Sequence, residues 1–426
     1  MTAQASTIEE LTARRDRARH DHAELAARGL KLDLTRGKPS PQQLDLSNGL
    51  LESPAAAVSA DGTDLRNYGG LQGLPELRAI FSDALQVPVD QLLAAGNSSL
   101  ELMHDALVFS LLGTLPGGQR RWVDEPEIAF LCPVPGYDRH FALCERLGIK
   151  MIQVPMTSHG PDMDVVERLA AEDPRVKGIW CVPKYSNPDG AVYSDATVRR
   201  LAAMPAAAPD FRIFWDNAYA VHHLADEPAE IADLLALCAE HDNPDRAFVF
   251  GSTSKITFAG SGVAFFGSSA ANVQWWLGCT AKRSIGPDKV NQLRHVRFLR
   301  DADGLREHMR QHAALIRPKF DAVDKILHAE LGGTGLAEWT RPEGGYFISV
   351  QVPAGCARAV VAKAQEAGIA LTPAGATHPA GDDPLDQVIR IAPTYPEQSE
   401  LEMAIAGFAT CVRLVGTEKL LAEHQG

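Results

Sequence analysis

Six short apolar runs set the strongest limit on what this chain can fold into. They are EIAFLC (127–132), KMIQVP (150–155), KGIWCV (177–182), RIFWD (212–216), AFVFG (247–251) and VAFFG (263–267), separated by stretches with helical spacing. They lack the steady apolar–polar alternation of a strand with one wet face. Runs of this length and texture suit strands covered on both faces. The expected fold is therefore α/β, a mostly parallel sheet sandwiched by helices. From about residue 310 a long polar helical pattern leads into GGYFISVQVP and QVIRIAPT, which reads as a smaller α/β domain.

A chain of 426 residues is too long for one small core. The division expected is an N-terminal helix and arm joining the small domain (1–58), a large domain (59–309) and a small C-terminal domain (310–426). Thr7 and Glu10 fit a capping box, Ile8, Leu11, Ala18 and Leu25 recur at roughly helical spacing, and Gly29 is a natural stop. His20 and His22 flank Asp21 on this helix and read as a solvated face rather than a metal site. LDLTRGKPSPQQLDLS then reads as an extended, proline-punctuated arm.

Charge and cysteines narrow the function. With 41 Lys and Arg against 54 Asp and Glu, the formal charge is −13, which argues against a nucleic-acid surface. The start MTAQASTIEELTARRDRARHDHAEL has no apolar leader, and no apolar stretch is long enough to span a bilayer. Seven scattered cysteines without a C-x-x-C read as free thiols in a reducing compartment, so the location expected is cytoplasmic.

In open parallel sheets, ligands gather beyond the carboxyl ends of the strands. IAFLC is followed by PVPGY, GIWCV by PKYSNPDG, RIFW by DNAY and AFVFG by STSK. These stretches bring Tyr137, Asn187, Asp216, Tyr219, Ser252, Ser254 and Lys255 to one edge, with neither a zinc spacing nor a G-x-S-x-G elbow, so no metal is expected. Lys255 at a strand end either reaches water or does amine chemistry. Asp216 also fits a helix N-cap, and Asn-Pro-Asp-Gly is good turn chemistry by itself.

Taken in order, NPDG, DNAY and STSK resemble the fold-type I pyridoxal-phosphate enzymes, class I/II aminotransferases. Within these the chain is most similar to a bacterial aspartate aminotransferase branch related to the catalytic half of MocR-type regulators. The resemblance runs from about LDLTRGKPS to VIRIAP. It implies pyridoxal 5′-phosphate as cofactor, held in the large domain, with Lys255 as the Schiff-base lysine. Asp216 then pairs with the pyridine nitrogen, Tyr219 and Asn187 reach the ring oxygen, and Tyr137 stacks on the ring.

For the phosphate it implies Asn97, Ser98 and Ser99 at a helix start, with Ser252 and Ser254; Ser98 and Glu101 also fit a plain capping box. Tyr68 matches a tyrosine that reaches the partner subunit's phosphate, which implies a homodimer with shared active sites. Arg390 matches the arginine that grips the substrate α-carboxylate, and Gly37 the backbone N–H beside it. The arginine many relatives carry eight residues after the lysine is Val263 here, and Lys282 and Arg283 are the candidates to replace it.

The activity implied is ping-pong transfer of an amino group between an amino acid, L-aspartate above all, and 2-oxoglutarate. Arg36, Lys38, Lys282, Arg283 and His378 are candidates to read the side-chain carboxylate. The alternatives on the same scaffold are a β-lyase, a broad-specificity aminotransferase or a stand-alone MocR-like effector domain.

Overall fold

Residues 7–52 and 57–425 are described in the computed structural model. The apolar runs become the strands Ala129–Val134, Lys150–Thr157, Val176–Cys181, Arg212–Asp216, Ala247–Ser252 and Ala264–Gly267. They form an eight-stranded sheet with two short strands that the pattern did not mark, Leu92–Ala94 and Gly160–Pro161. From one edge the order runs 92–94, 264–267, 247–252, 212–216, 176–181, 129–134, 150–157, 160–161. The strands from 247–252 to 150–157 pair in parallel; 264–267 and the short edge strands pair antiparallel.

Each central strand divides its side chains between two cores, as the two-residue period requires. Ile213, Trp215, Ala247 and Val249 face helices Pro75–Leu85, Met163–Glu172, Asp195–Ala203 and Leu234–Glu240. Phe130, Trp180, Phe214, Phe248, Phe250 and Phe266 face helices Ser99–Leu112, Asp138–Leu147 and Ala270–Arg283. That second face is an aromatic wall; each buried phenylalanine contributes about 1.5–3 kcal/mol of transfer free energy. Because both faces are covered, the runs did not need to alternate in polarity.

A third core lies around the antiparallel strands Glu338–Trp339, Ile348–Gln351 and Val388–Ile391. Helices Ala357–Glu366 and Gln398–Gln425 cover it, along with the later part of the 30-residue helix Ala302–Leu331. Leu305 and Met309 of that helix belong to the first core, and Ile316, Val323 and Leu327 to the third. One helix therefore bridges both bodies.

The N-terminal helix Ile8–Ala27 starts at the Thr7–Glu10 capping box, and Gly29 follows its end at φ +62°. His20 is exposed beside Glu24, but His22 is buried, with Nε2 2.9 Å from Lys363 O. The solvated reading of His22 is thus corrected: this helix packs on the C-terminal body, which the local sequence does not reveal. The arm is only partly extended. Leu32–Asp33 pairs parallel with Ile369–Ala370, and Ser40 and Gln43 form a capping box on the short helix Pro41–Asp45. All seven cysteines are free. Among the described residues, no helix is long and apolar enough to cross a membrane.

Candidate active site

Thr253, in the turn that follows strand Ala247–Ser252, anchors the lysine-bearing segment. Its N–H donates to Val263 O at 2.8 Å, and its Oγ1 accepts from Val263 N at 2.9 Å. The turn then closes on itself, with Ile256 N and Thr257 N donating to Thr253 O. Lys255 is half-buried, its Nζ 5.2 Å from the Tyr219 ring centre and 5.9 Å from that of Tyr346. Burial lowers the pKa of its amine, and the Asp216 carboxylate opposes that shift. A lysine so placed is a better nucleophile and base at neutral pH than one in water.

Asp216 ends the neighbouring strand and is buried. Its Oδ2 lies 3.0 Å from His140 Nε2, and the His140 ring stacks on Trp180 at 4.3 Å and 9°. Tyr137 meets His140 edge to face at 4.9 Å. Asp216 Oδ1 is also buried and has no hydrogen-bond partner within the chain. A fixed carboxylate with one oxygen left over beside an amine suits a heteroaromatic ring that carries a proton on its nitrogen. The donor set therefore fits pyridoxal phosphate. Desolvation raises the Tyr137 and Tyr219 phenols above their ordinary range, so both keep their protons.

Serine and amide groups stand where a phosphate would be expected. Ser98 caps helix Ser99–Leu112 by accepting from Glu101 N at 3.2 Å, and the other first-turn amides of a helix start lack intrahelical partners. Asn97 Nδ2 donates to Gly260 O, Ser254 Oγ donates to Asn97 O at 3.5 Å, and Ser252 and Ser254 share a hydrogen bond of 3.1 Å. Val263 is buried in the first core. Of the two candidates for the missing arginine, Arg283 pairs through Nε with Asp105 at 2.9 Å and lies with Nη1 3.7 Å from Glu101, while Lys282 is exposed.

A cavity of about 500 Å³ brings Lys255, Asp216, Tyr219, Tyr137, Asn187, Ser99, Gly37 and Arg390 together. Arg390 is buried, 4.9 Å over the Phe347 ring. Its Nη1 donates to Asp138 Oδ1 at 3.0 Å and Asn187 Oδ1 at 3.3 Å, and its Nη2 to Thr372 Oγ1 at 3.4 Å. Gly37 packs flat on Phe347: a Cβ there would overlap the ring. Thr372 Oγ1 donates to Thr35 O, and Thr394 Oγ1 to Lys38 O, so the arm is sewn to the C-terminal body.

Of the expected side-chain readers, Arg36 and Lys38 line the cavity, Lys38 with its Nζ 3.8 Å over the Tyr395 ring. Lys282, Arg283 and His378 are not among its lining residues; His378 is buried against Thr377 and Asp383. Arg139 lines it and was missed, as were His140 and Asp138. All three follow Tyr137 in the stretch PGYDRH (135–140), and a histidine one helical turn after that tyrosine was the available signal. Tyr68 is 81% exposed and does not line the cavity of its own chain. Its loop is held by Lys289 Nζ, which donates to Asn67 O at 2.9 Å and Gly69 O at 2.7 Å.

Comparison with known proteins bears on the family and the fold. The family described as aspartate amino-transferase matches residues 5–424. An aspartate aminotransferase of Corynebacterium glutamicum is 51% identical over 93% of this chain and 92% of that protein. The crystal structure of an aspartate transaminase from the same organism superimposes with a TM-score of 0.95 at 48% identity, covering 98% of this chain and all of that one. An α-aminoadipate aminotransferase from Thermus thermophilus, solved with N-(5′-phosphopyridoxyl)-L-leucine, shares the fold at a TM-score of 0.73 and 21% identity, over 98% of this chain and 96% of that one.

Proposed function

The chain belongs to the aspartate aminotransferase family, whose members use pyridoxal phosphate, and on that footing we propose that it transfers the amino group of L-aspartate to 2-oxoglutarate. The observation that carries this reading is the content of one cavity. It holds the Lys255 amine, the half-satisfied Asp216 carboxylate and the Arg390 guanidinium, together with the further cations Arg36, Lys38 and Arg139. A dicarboxylic substrate needs two separate cationic contacts, and these supply them.

Bound there, pyridoxal phosphate serves as an electron sink for the substrate α-carbon. Lys255 is the amine that would hold the cofactor through its aldehyde carbon and, when free, would take the proton from the substrate α-carbon. Asp216, held by His140, would keep a proton on the ring nitrogen. Tyr219 and Asn187 would hold the ring oxygen, and Tyr137 would cover the ring. Asn97, Ser98, Ser99, Ser252 and Ser254 would hold the phosphate.

Arg390 and the Gly37 N–H take the α-carboxylate, and Asn187 contacts both cofactor and substrate. The two half-reactions use the same groups in turn, so the kinetics are ping-pong. We assign the arm with residues 310–426 to a small domain that closes on the large one (59–309). Exposed Tyr68 on its braced loop supports a homodimer in which it would serve the partner subunit's cofactor, and the seven free thiols support a cytoplasmic location.

The test is an absorption scan of the purified, cofactor-loaded chain. Aspartate alone should shift the visible band, and 2-oxoglutarate should restore it. A band moved by another amino acid but not by aspartate would reassign the substrate. Release of a β-elimination product without cycling would make the enzyme a lyase.

A further inference from the structure

Beneath the lysine lies a buried polar cluster that the reaction as described does not use. Lys255 O lies 3.3 Å from His222 Nε2 and accepts from Tyr346 OH at 3.4 Å. Ile256 O lies 2.7 Å from His308 Nε2, and His312 binds the same carbonyl. The two Nε2 atoms are 3.1 Å apart. His312 Nδ1 is 3.2 Å from Gln43 Nε2, which also donates to Tyr346 OH at 2.8 Å. Gln43, Tyr346, His222, His308 and His312 are all buried.

The proton positions follow from what each partner can do. Ser40 N donates to Gln43 Oε1 in the capping box, which fixes the amide with its Nε2 toward His312 and Tyr346. An amide nitrogen only donates, so His312 Nδ1 is bare and its proton sits on Nε2, toward Ile256 O. A carbonyl only accepts, so His222 and His308 also carry their protons on Nε2. Each carbonyl has two lone pairs and receives two donors, and all three rings are neutral. The donors come from the arm-linked His312 and its helix neighbour His308, from the loop after strand Arg212–Asp216, and from the C-terminal body.

We propose that His308, His312 and Tyr346, oriented by Gln43, are positioning residues for Lys255: they clamp the main chain under its amine and do so only while uncharged. The inference rests on Lys255 being the cofactor-bonding amine. Acid is the lever. A proton on His312 Nδ1 would face the Gln43 N–H and break that hydrogen bond. Burial keeps His308 and His312 below the ordinary histidine range, His312 at about 4, and His222 is pushed down further by Lys255. The other titratable groups packed around them are His223, Tyr219, His295 (braced on Thr257 Oγ1) and Asp216, which acts on Lys255.

The decisive measurement is the pH midpoint for amine-reagent labelling of Lys255 in the cofactor-free chain, read by peptide mass mapping. His312→Leu should move that midpoint and lower kcat about tenfold while leaving KM for the amino acid within about twofold. His312→Gln, which keeps a donor toward Ile256 O, should restore most of both. Tyr346→Phe keeps the ring and loses only the hydroxyl; it should show the same change in smaller degree, and it decides the matter if the leucine variant does not fold. Unchanged midpoint and kcat in a folded variant would overturn the clamp. A wild-type chain that ignores aspartate while its Lys255 labelling still responds to these variants would sink the substrate reading and leave the clamp standing.

Discussion

Asp216 and Arg390 line the same cavity and are held in different ways. Asp216 grows out of the large sheet, fixed by His140, which is itself stacked on a tryptophan of the next strand. Arg390 lies on the C-terminal sheet, and its partners come from elsewhere: Asp138 and Asn187 from the large-sheet loops, Thr372 and Phe347 from the C-terminal body. The first arrangement is rigid, being anchored in one close-packed core. The second is assembled across two cores, as a site must be if it is to admit and release substrate. Preorganisation belongs to the Asp216 end of the cavity and adaptability to the Arg390 end.

That contrast can be broken by substitution, beginning with the strongest effect. Lys255→Ala should cut turnover by roughly 10²–10⁴-fold or more in stopped-assay kinetics while Tm stays near wild type. His140→Leu leaves the Asp216 carboxylate buried without its partner, and should cost about 3–5 kcal/mol of stability in chemical denaturation. Equal stability would mean that the Asp216 end is not held as described. Arg390→Lys loses the planar fork, and kcat/KM should fall about 10–100-fold with little change in Tm.

Gly37→Ala pushes against Phe347, on which Arg390 stacks; it should raise KM severalfold and cost about 1–3 kcal/mol. The smallest effect is with pH. Because His312 is depressed from 6.5 to about 4, the unfolded chain binds its proton first as acid is added. Stability should be full above about pH 6.5, decline as pH falls toward 4 and level off below; in His312→Gln the decline should be shallower.

The Asp216 end of the cavity was legible in the sequence as a place in the fold because it is local. Asp216, Asn187, Ser252 and Lys255 each follow an apolar run whose length and composition mark a strand, and parallel strands bring those ends to one edge. At the other end, only the family resemblance pointed to Arg390 and Gly37, which line the same cavity. Arg139 went unnoticed because an arginine in the first turn of a helix is unremarkable until the helix start is known to face a cavity. His22 was misread for the same reason: the surface that buries it is supplied by a segment more than three hundred residues later. Strands 92–94 and 160–161 are too short to carry a two-residue period, and antiparallel pairing at a sheet edge leaves little mark on composition.

The stack of Trp180 on His140 also gives the molecule an optical reporter. An indole in van der Waals contact with the imidazole that holds Asp216 lies within energy-transfer range of any near-ultraviolet chromophore seated on that carboxylate. Its emission should therefore dim on cofactor loading and brighten when the chromophore is lost. Trp180→Phe identifies that share of the signal. Occupancy of the site could then be followed in a cuvette without substrate, coupling enzyme or turnover.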